Sequence, residues 1–195
     1  MPRPLLVILA ATLGWASVRK SRAVASRVEK LLRRGAAVYM AIELLEKPLS
    51  EPADERHVEA RLLEALIEAR LASRLLQGGL TCNAACKAFQ AWKALLAALL
   101  RLELDKLKAV AKSGEERRWL KSKAVPRVPT SKMLALSLLL EKAGHDGVML
   151  ATSLALDIHD YQYHGLDPDM ALSKFRNREE ATWRDLRLTV RWRDA

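Results

Sequence analysis

Apolar residues recur along this chain at steps of three, four and seven, the spacing of one helix face. Nowhere do they alternate in the period of two that marks a half-buried strand. Glu51-Pro52-Ala53-Asp54 has the composition of a helix start and Gly78-Gly79 that of a stop, which predicts a long first helix between them. Val58, Leu62, Leu66, Ala69 and Leu76 form its apolar stripe, with Arg61, Glu64, Glu68 and Arg70 mostly on the other faces. A second helix is expected from Thr81 to about Lys112, turning Phe89, Trp92, Leu96, Leu99 and Leu102 inward. A connection of about three residues can join two such helices only as an antiparallel hairpin.

Shorter helices follow. Ser113-Gly-Glu-Glu116 reads as a capping box for a helix running through about Ala124. Val125-Pro-Arg-Val-Pro129 cannot be helical throughout, because each proline lacks a donor and biases the residue before it toward extended geometry; it reads as a connector. Thr130 is expected to cap a helix ending at Gly144, and another is expected from about Val148 to His164, stopped by Gly165. Asp167-Pro168 is expected to start a short helical turn, and Asn177-Arg-Glu-Glu180 to cap a last helix carrying Trp183, Leu186 and Val190 inward. The expected fold class is all-α, a helical bundle built on the long antiparallel hairpin, with residues 51–195 as the bundle domain.

Composition narrows the function classes. The 195 residues are 50% hydrophobic and 29% charged, which excludes a disordered tail, and two cysteines exclude a disulfide framework. No apolar run reaches the ~18 residues of a spanning helix. The net charge of +10 is unevenly spread: residues 1–40 hold eight Lys/Arg and one acid, and the remainder of the chain is only +3. A global basic footprint for nucleic acid is therefore not expected.

Residues 1–50 form an N-terminal extension of different character, apolar from Leu5 to Leu13 and basic from Arg19. Four readings of it stay open: a secretory signal with Gly14-Trp15-Ala16 as cleavage site, an interfacial anchor, an added helix, or translation begun ahead of a true start at Met40. As a helix, Leu5 to Ala16 would span about 18 Å against the ~30 Å of a hydrocarbon layer, so a membrane role is not favoured and a cytoplasmic location is expected. Asn and Gln total five, which with the abundance of Lys, Arg and Glu points to a heat-adapted source.

Three separated blocks resemble a known family. Asn83-Ala-Ala-Cys-Lys-Ala-Phe-Gln-Ala-Trp-Lys93 is similar to the central helix of the archaeal PaREP family, type one, as is Glu116-Arg-Arg-Trp-Leu120 leading into Val125–Pro129. The third block is His159-Asp-Tyr-Gln-Tyr-His-Gly165 with Asp167-Pro-Asp169 and Ala171-Leu-Ser-Lys-Phe-Arg176. The resemblance spans roughly Ala53 to Leu188 and implies a helical domain of unestablished function, related to the HEPN bundles. Those bundles often pair with a nucleotidyltransferase partner or act as ribonucleases, the nucleases carrying an Arg four to six residues before a His. None of His57, His145, His159 or His164 has an Arg at that distance, so the nuclease motif is not carried over.

The stretch from His159 to Arg176 concentrates polar chemistry. His159 and Tyr163 lie one turn apart on one helix face, Asp160 and His164 on another, an arrangement open to a base oriented by an acid. His159, Asp160 and His164 are thus the catalytic candidates, while Lys174 and Arg176 could hold a phosphate-bearing ligand with His159 nearby, and Tyr163 is a further ligand-binding candidate. The competing reading packs the tyrosines inward, bonds His159 to a neighbouring helix and makes Asp167 a cap. Asn83, Lys87 and Gln90 form a polar stripe that either faces the His159 block to complete a ligand pocket, or is an exposed face or a buried network fixing helix register. Cys82 and Cys86, four apart on one helix, are expected as two small buried thiols, with no metal site and no cofactor. Arg184, Arg187 and Arg191 read as a wet basic face with Glu180 one turn before Arg184, the alternative being a strip that tracks phosphates with Trp192 stacking on a base.

The function expected from all this is a helical interaction module that self-associates as a homo-oligomer or binds a protein partner, with a nucleotide or RNA ligand as an option. The nucleotidyltransferase-like partner rests on the resemblance alone. Leu136, Leu138, Leu139 and Leu140 are more apolar than a lone helix needs and are the expected contact surface. The alternative is a HEPN-type ribonuclease or nucleotide-processing enzyme using His159 or His164.

Overall fold

The computed structural model describes residues 55–182, and every regular element among them is helical. The N-terminal extension, the start signal before Glu55, and Trp183, Arg184, Leu186, Arg187, Val190 and Arg191 lie outside the described residues.

Helix α1 (Glu55–Gln77) and α2 (Thr81–Leu102) form the hairpin. Its turn is a Schellman motif: the Leu80 amide donates to the Leu75 carbonyl at 2.9 Å and the Gly79 amide to Leu76 at 3.0 Å, with Gly79 at φ +74°. That conformation is cheap only without a Cβ, so the glycine sets where the chain reverses. Val58, Leu62 and Leu66 are buried as expected, while Ala69 and Leu76 are half-buried. Phe89, Trp92, Leu96 and Leu99 are buried and Leu102 packs at the core's edge.

The second helix is not continuous to Lys112. It turns at Glu103 (φ −97°, ψ 6°) and resumes as α3 (Leu104–Val110). Neither proline nor glycine causes the bend; the Glu103 side chain is turned inward to meet His145 at 3.2 Å and Lys106 at 2.6 Å. Helix α4 (Gly114–Trp119) opens on the expected cap, with Ser113 Oγ accepting from the Glu116 amide at 3.1 Å. Glu116 reaches back one residue further than expected, accepting from the Lys112 amide at 2.7 Å.

The helical path then widens over Leu120–Ala124 into a turn of i→i+5 bonding before α5 (Val125–Arg127). Pro126 has no amide to offer and its ring crowds the preceding turn, and the wider turn relieves both. The connector was expected from Val125 but begins at Val128, since Val125–Arg127 is helical. Thr130 does not cap: it begins a tight turn, Thr130–Lys132, and α6 (Met133–Lys142) starts without a side-chain cap.

Helix α6 ends in a second Schellman motif at Gly144 (φ +99°), the His145 amide donating to Leu140 at 3.0 Å. Helix α7 (Val148–His164) runs between the expected bounds and stops at Gly165 (φ +69°). It lies on α2 and α6, tied to both by a buried trio: Trp92 Nε1 donates to Thr152 Oγ1 at 2.9 Å, and Thr152 shares a 2.6 Å hydrogen bond with Ser137 Oγ. At the other end Thr81 Oγ1 and Tyr161 Oη share one of 2.8 Å. Each buried polar group so satisfied keeps its desolvation from counting against the fold.

Beyond Gly165 the expected helical turn at Asp167-Pro168 is a loop. The Asp167 carboxylate accepts from the amides of Asp169, Leu172 and Ser173, which gathers the chain around the side chain and leaves no i→i+4 ladder to form. Asn177 then caps the final helical residues, accepting from the Glu180 amide at 2.9 Å. None of the described helices is long and apolar enough to cross a membrane.

Candidate functional site

The His159–Arg176 block is assembled as a packing unit. His159 stacks on Phe89 of α2, ring centres 4.0 Å apart and 20° from parallel, and Tyr163 meets it edge-on at 5.0 Å. Burial lowers the His159 pKa below its usual 6.5, and Lys93 adds to this while Asp160 and Gln162 oppose it. A neutral imidazole in an aromatic stack is thereby favoured. Asp160, Tyr163 and His164 are exposed. Lys174 is not free for phosphate, because it forms an ion pair with the nearly buried Asp157 of α7. Arg176 is turned to its own loop, Nε donating to Met170 Sδ at 2.8 Å while its amide donates to Glu180 at 2.9 Å. Asp167 has its pKa lowered by the Leu172 and Ser173 amides that it gathers.

The stripe on α2 faces the other way. Lys87 pairs with Glu68 of α1 at 3.0 Å, Asn83 is exposed, and Gln90 lies further along the same seam. Lys93, not Lys87, is the lysine that acts on His159. The pocket imagined between the two groups does not close, because Lys87 answers a carboxylate on α1. Cys82 is exposed and Cys86 half-buried, so the expected pair of buried thiols is corrected to one exposed and one half-buried thiol.

The seam is where a concavity opens. Glu68, Glu64, Arg61 and His57 follow one another down α1 at steps of three and four. Opposite them α2 presents Lys87, then Gln90 and Lys93, then the small side chains of Ala94 and Ala97. The alanines leave a cleft of about 230 Å³, closed on its third side by Pro126, Arg127 and Val128. Arg61 braces it, Nη1 donating to Glu64 at 2.6 Å and Nη2 to the Pro126 carbonyl at 2.7 Å. Val128 sits at φ +41°, ψ 75°, a left-handed conformation that a β-branched residue adopts at a cost of about 1–3 kcal/mol. Its side chain is fully buried, and this sharp turn sets Arg127 at the rim.

One turn beyond Arg61, His57 is buried, and neither ring nitrogen is hydrogen-bonded among the described residues. Burial, then the charges of Arg61 and Arg101, push its pKa down to about 4. At the bend after α2, Glu103 has its pKa lowered although burial opposes this, since Lys106 and His145 outweigh burial. Among the described residues no group of three His, Cys, Asp or Glu is placed to hold a metal ion.

Sequence reasoning passed over Arg61, Glu64, Lys93 and Arg127. On α1 the first two look like the wet side of an amphipathic helix. The available signal was the spacing of the polar row on α1 against the Asn83/Lys87/Gln90 row on α2, two stripes that a hairpin brings face to face.

The architecture defines an all-helical protein built on a long hairpin. The family model for the archaeal PaREP1/PaREP8 family matches residues 60–185, and the chain belongs to that family. Neither the curated proteins nor the solved structures hold a match to this chain.

Proposed function

We propose that this protein works by association, as a helical interaction module that pairs with a second copy of itself or with a partner chain. The observation that carries the reading is the apolar surface left uncovered on two adjoining helices. Leu134 and Leu138 of α6 are 45% and 42% exposed, and Met149 and Leu150 of α7 are 41% and 55% exposed. Of the four leucines expected at a contact, Leu136 and Leu140 are consumed by the protein's own core, Leu139 is half-buried and Leu138 faces outward. A row of this kind at the surface favours burial against another chain.

The rival enzyme needs His159, Asp160, Lys87 and Arg176 to converge on one reachable hollow. Their separate partners speak against it: Phe89 for His159, Glu68 for Lys87, Met170 for Arg176. Kinship with the HEPN bundles, and with it a nucleotidyltransferase-like partner, belongs to this proposal and draws its support from the hairpin and the family.

Light scattering on the eluting protein tests the reading. The full chain is expected to run above monomer mass, and Leu138→Glu to move it toward the monomer. A wild type that stays monomeric at high concentration and binds no partner chain contradicts association. Digestion of RNA by the wild type, lost in His159→Ala or His164→Ala, would establish the enzyme instead.

A further inference from the structure

The cleft between α1, α2 and the Pro126–Val128 turn holds charge that the fold does not use. Arg61 is committed to Glu64 and to the Pro126 carbonyl. Lys93 and Arg127 line the same hollow and enter no ion pair among the described residues. Three cations against one carboxylate leave the walls with a net charge of +2. A concave wall with an excess of one sign concentrates counter-ions, and cations held around a hollow repel one another less when an anion enters.

We infer that this cleft binds a small molecule ending in a phosphate monoester. The charge selects the ligand: a monoester carries about −1.5 to −2 near neutral pH, whereas each phosphodiester of an RNA backbone carries a single charge. Arg127 offers a planar fork for two phosphate oxygens and Lys93 a mobile point charge, the two complementary ways in which proteins hold phosphate. Gln90 adds an amide, and Ala94 and Ala97 give an apolar floor for the body of the ligand. At about 230 Å³ the hollow lies below the ~300–1,000 Å³ of sites for drug-sized molecules, so it encloses the phosphate and the ring next to it, and the rest of a larger body extends past the rim. This site is separate from the apolar surface of α6 and α7, and either proposal can fail without the other.

Calorimetric titration of the full chain at low salt tests it, with inorganic phosphate and adenosine 5′-monophosphate as probes. Saturable binding with a Kd of about 1 mM or tighter is expected. Lys93→Gln and Arg127→Gln each weaken it roughly tenfold, the effect of one charge-assisted contact. Lys142→Gln, which removes an exposed charge at the end of α6, leaves it within about twofold. Circular dichroism confirms that the variants are folded. Absence of saturable binding to both probes overturns the assignment, as does equal weakening by Lys142→Gln. Tighter binding of a dinucleotide phosphodiester or single-stranded RNA than of the monophosphate also overturns it, and assigns the cleft to RNA.

Discussion

The block after His159 and the seam between α1 and α2 contain similar kinds of residue and differ in what those residues have left to offer. In the block, Lys174 is held by Asp157, Asp167 by backbone amides, and His159 lies between Phe89 and Tyr163. In the seam, Arg61 is braced while Lys93 and Arg127 enter no ion pair among the described residues and stand around a hollow. A run of histidines, aspartates and cations in sequence is therefore a weak sign of chemistry. The stronger sign is charge that the fold has positioned without neutralising it.

Removing the block's anchor should have the largest effect. Phe175 is fully buried against Tyr161, ring centres 5.0 Å apart. Phe175→Ala is expected to cost about 3–5 kcal/mol in denaturant unfolding, the usual range for a buried aromatic. A loss below about 1 kcal/mol would mean that the loop is not part of the packed structure.

Acid should act next, and mainly through the seam. His57 has a folded pKa of about 4 against an ordinary 6.5, so the folded state holds it neutral. Its depressed value means that no penalty exists above pH 6.5, and that stability is lost as pH falls from 6.5 toward 4. The loss from this residue is on the order of 2–3 kcal/mol. His57→Leu removes it and leaves stability at pH 7 equal or higher, since neither ring nitrogen has a partner to lose among the described residues. Melting curves of both proteins across that range check this, and parallel acid slopes would refute it.

The finest contrast pairs two lysines. Lys174→Ala takes the Lys174 ion pair away from the nearly buried Asp157 and should cost about 1–3 kcal/mol. Lys93→Gln should change unfolding free energy by less than about 0.5 kcal/mol, because the fold asks nothing of that charge. Equal costs in chemical denaturation would erase the distinction between the regions.

Helix ends were legible in sequence because their causes are local. Gly79, Gly144 and Gly165 each take positive φ where a helix stops, and Ser113 and Asn177 each accept from the amide three residues on. The bend at Glu103 was not legible, since its partner His145 is 42 residues away and buried on another helix connection. Thr130 failed as a cap because Pro129, extended at φ −58° and ψ 127°, leads into a tight turn instead.

The block was legible as a cluster but not as a closed one. Nothing in the spacing says that Lys174 reaches Asp157, or that Asp167 spends its carboxylate on three amides. The cleft was invisible for the opposite reason. Its cations come from Arg61, Lys93 and Arg127, far apart in sequence, and they meet only because Gly79 reverses the chain and Pro126 and Val128 turn it back.

The most direct test is an amide NMR titration of the full chain with adenosine 5′-monophosphate. The account predicts shifts centred on Gln90, Lys93, Arg127 and Val128, with His159 to Arg176 unmoved. Shifts centred on His159, Lys174 and Arg176 would contradict it.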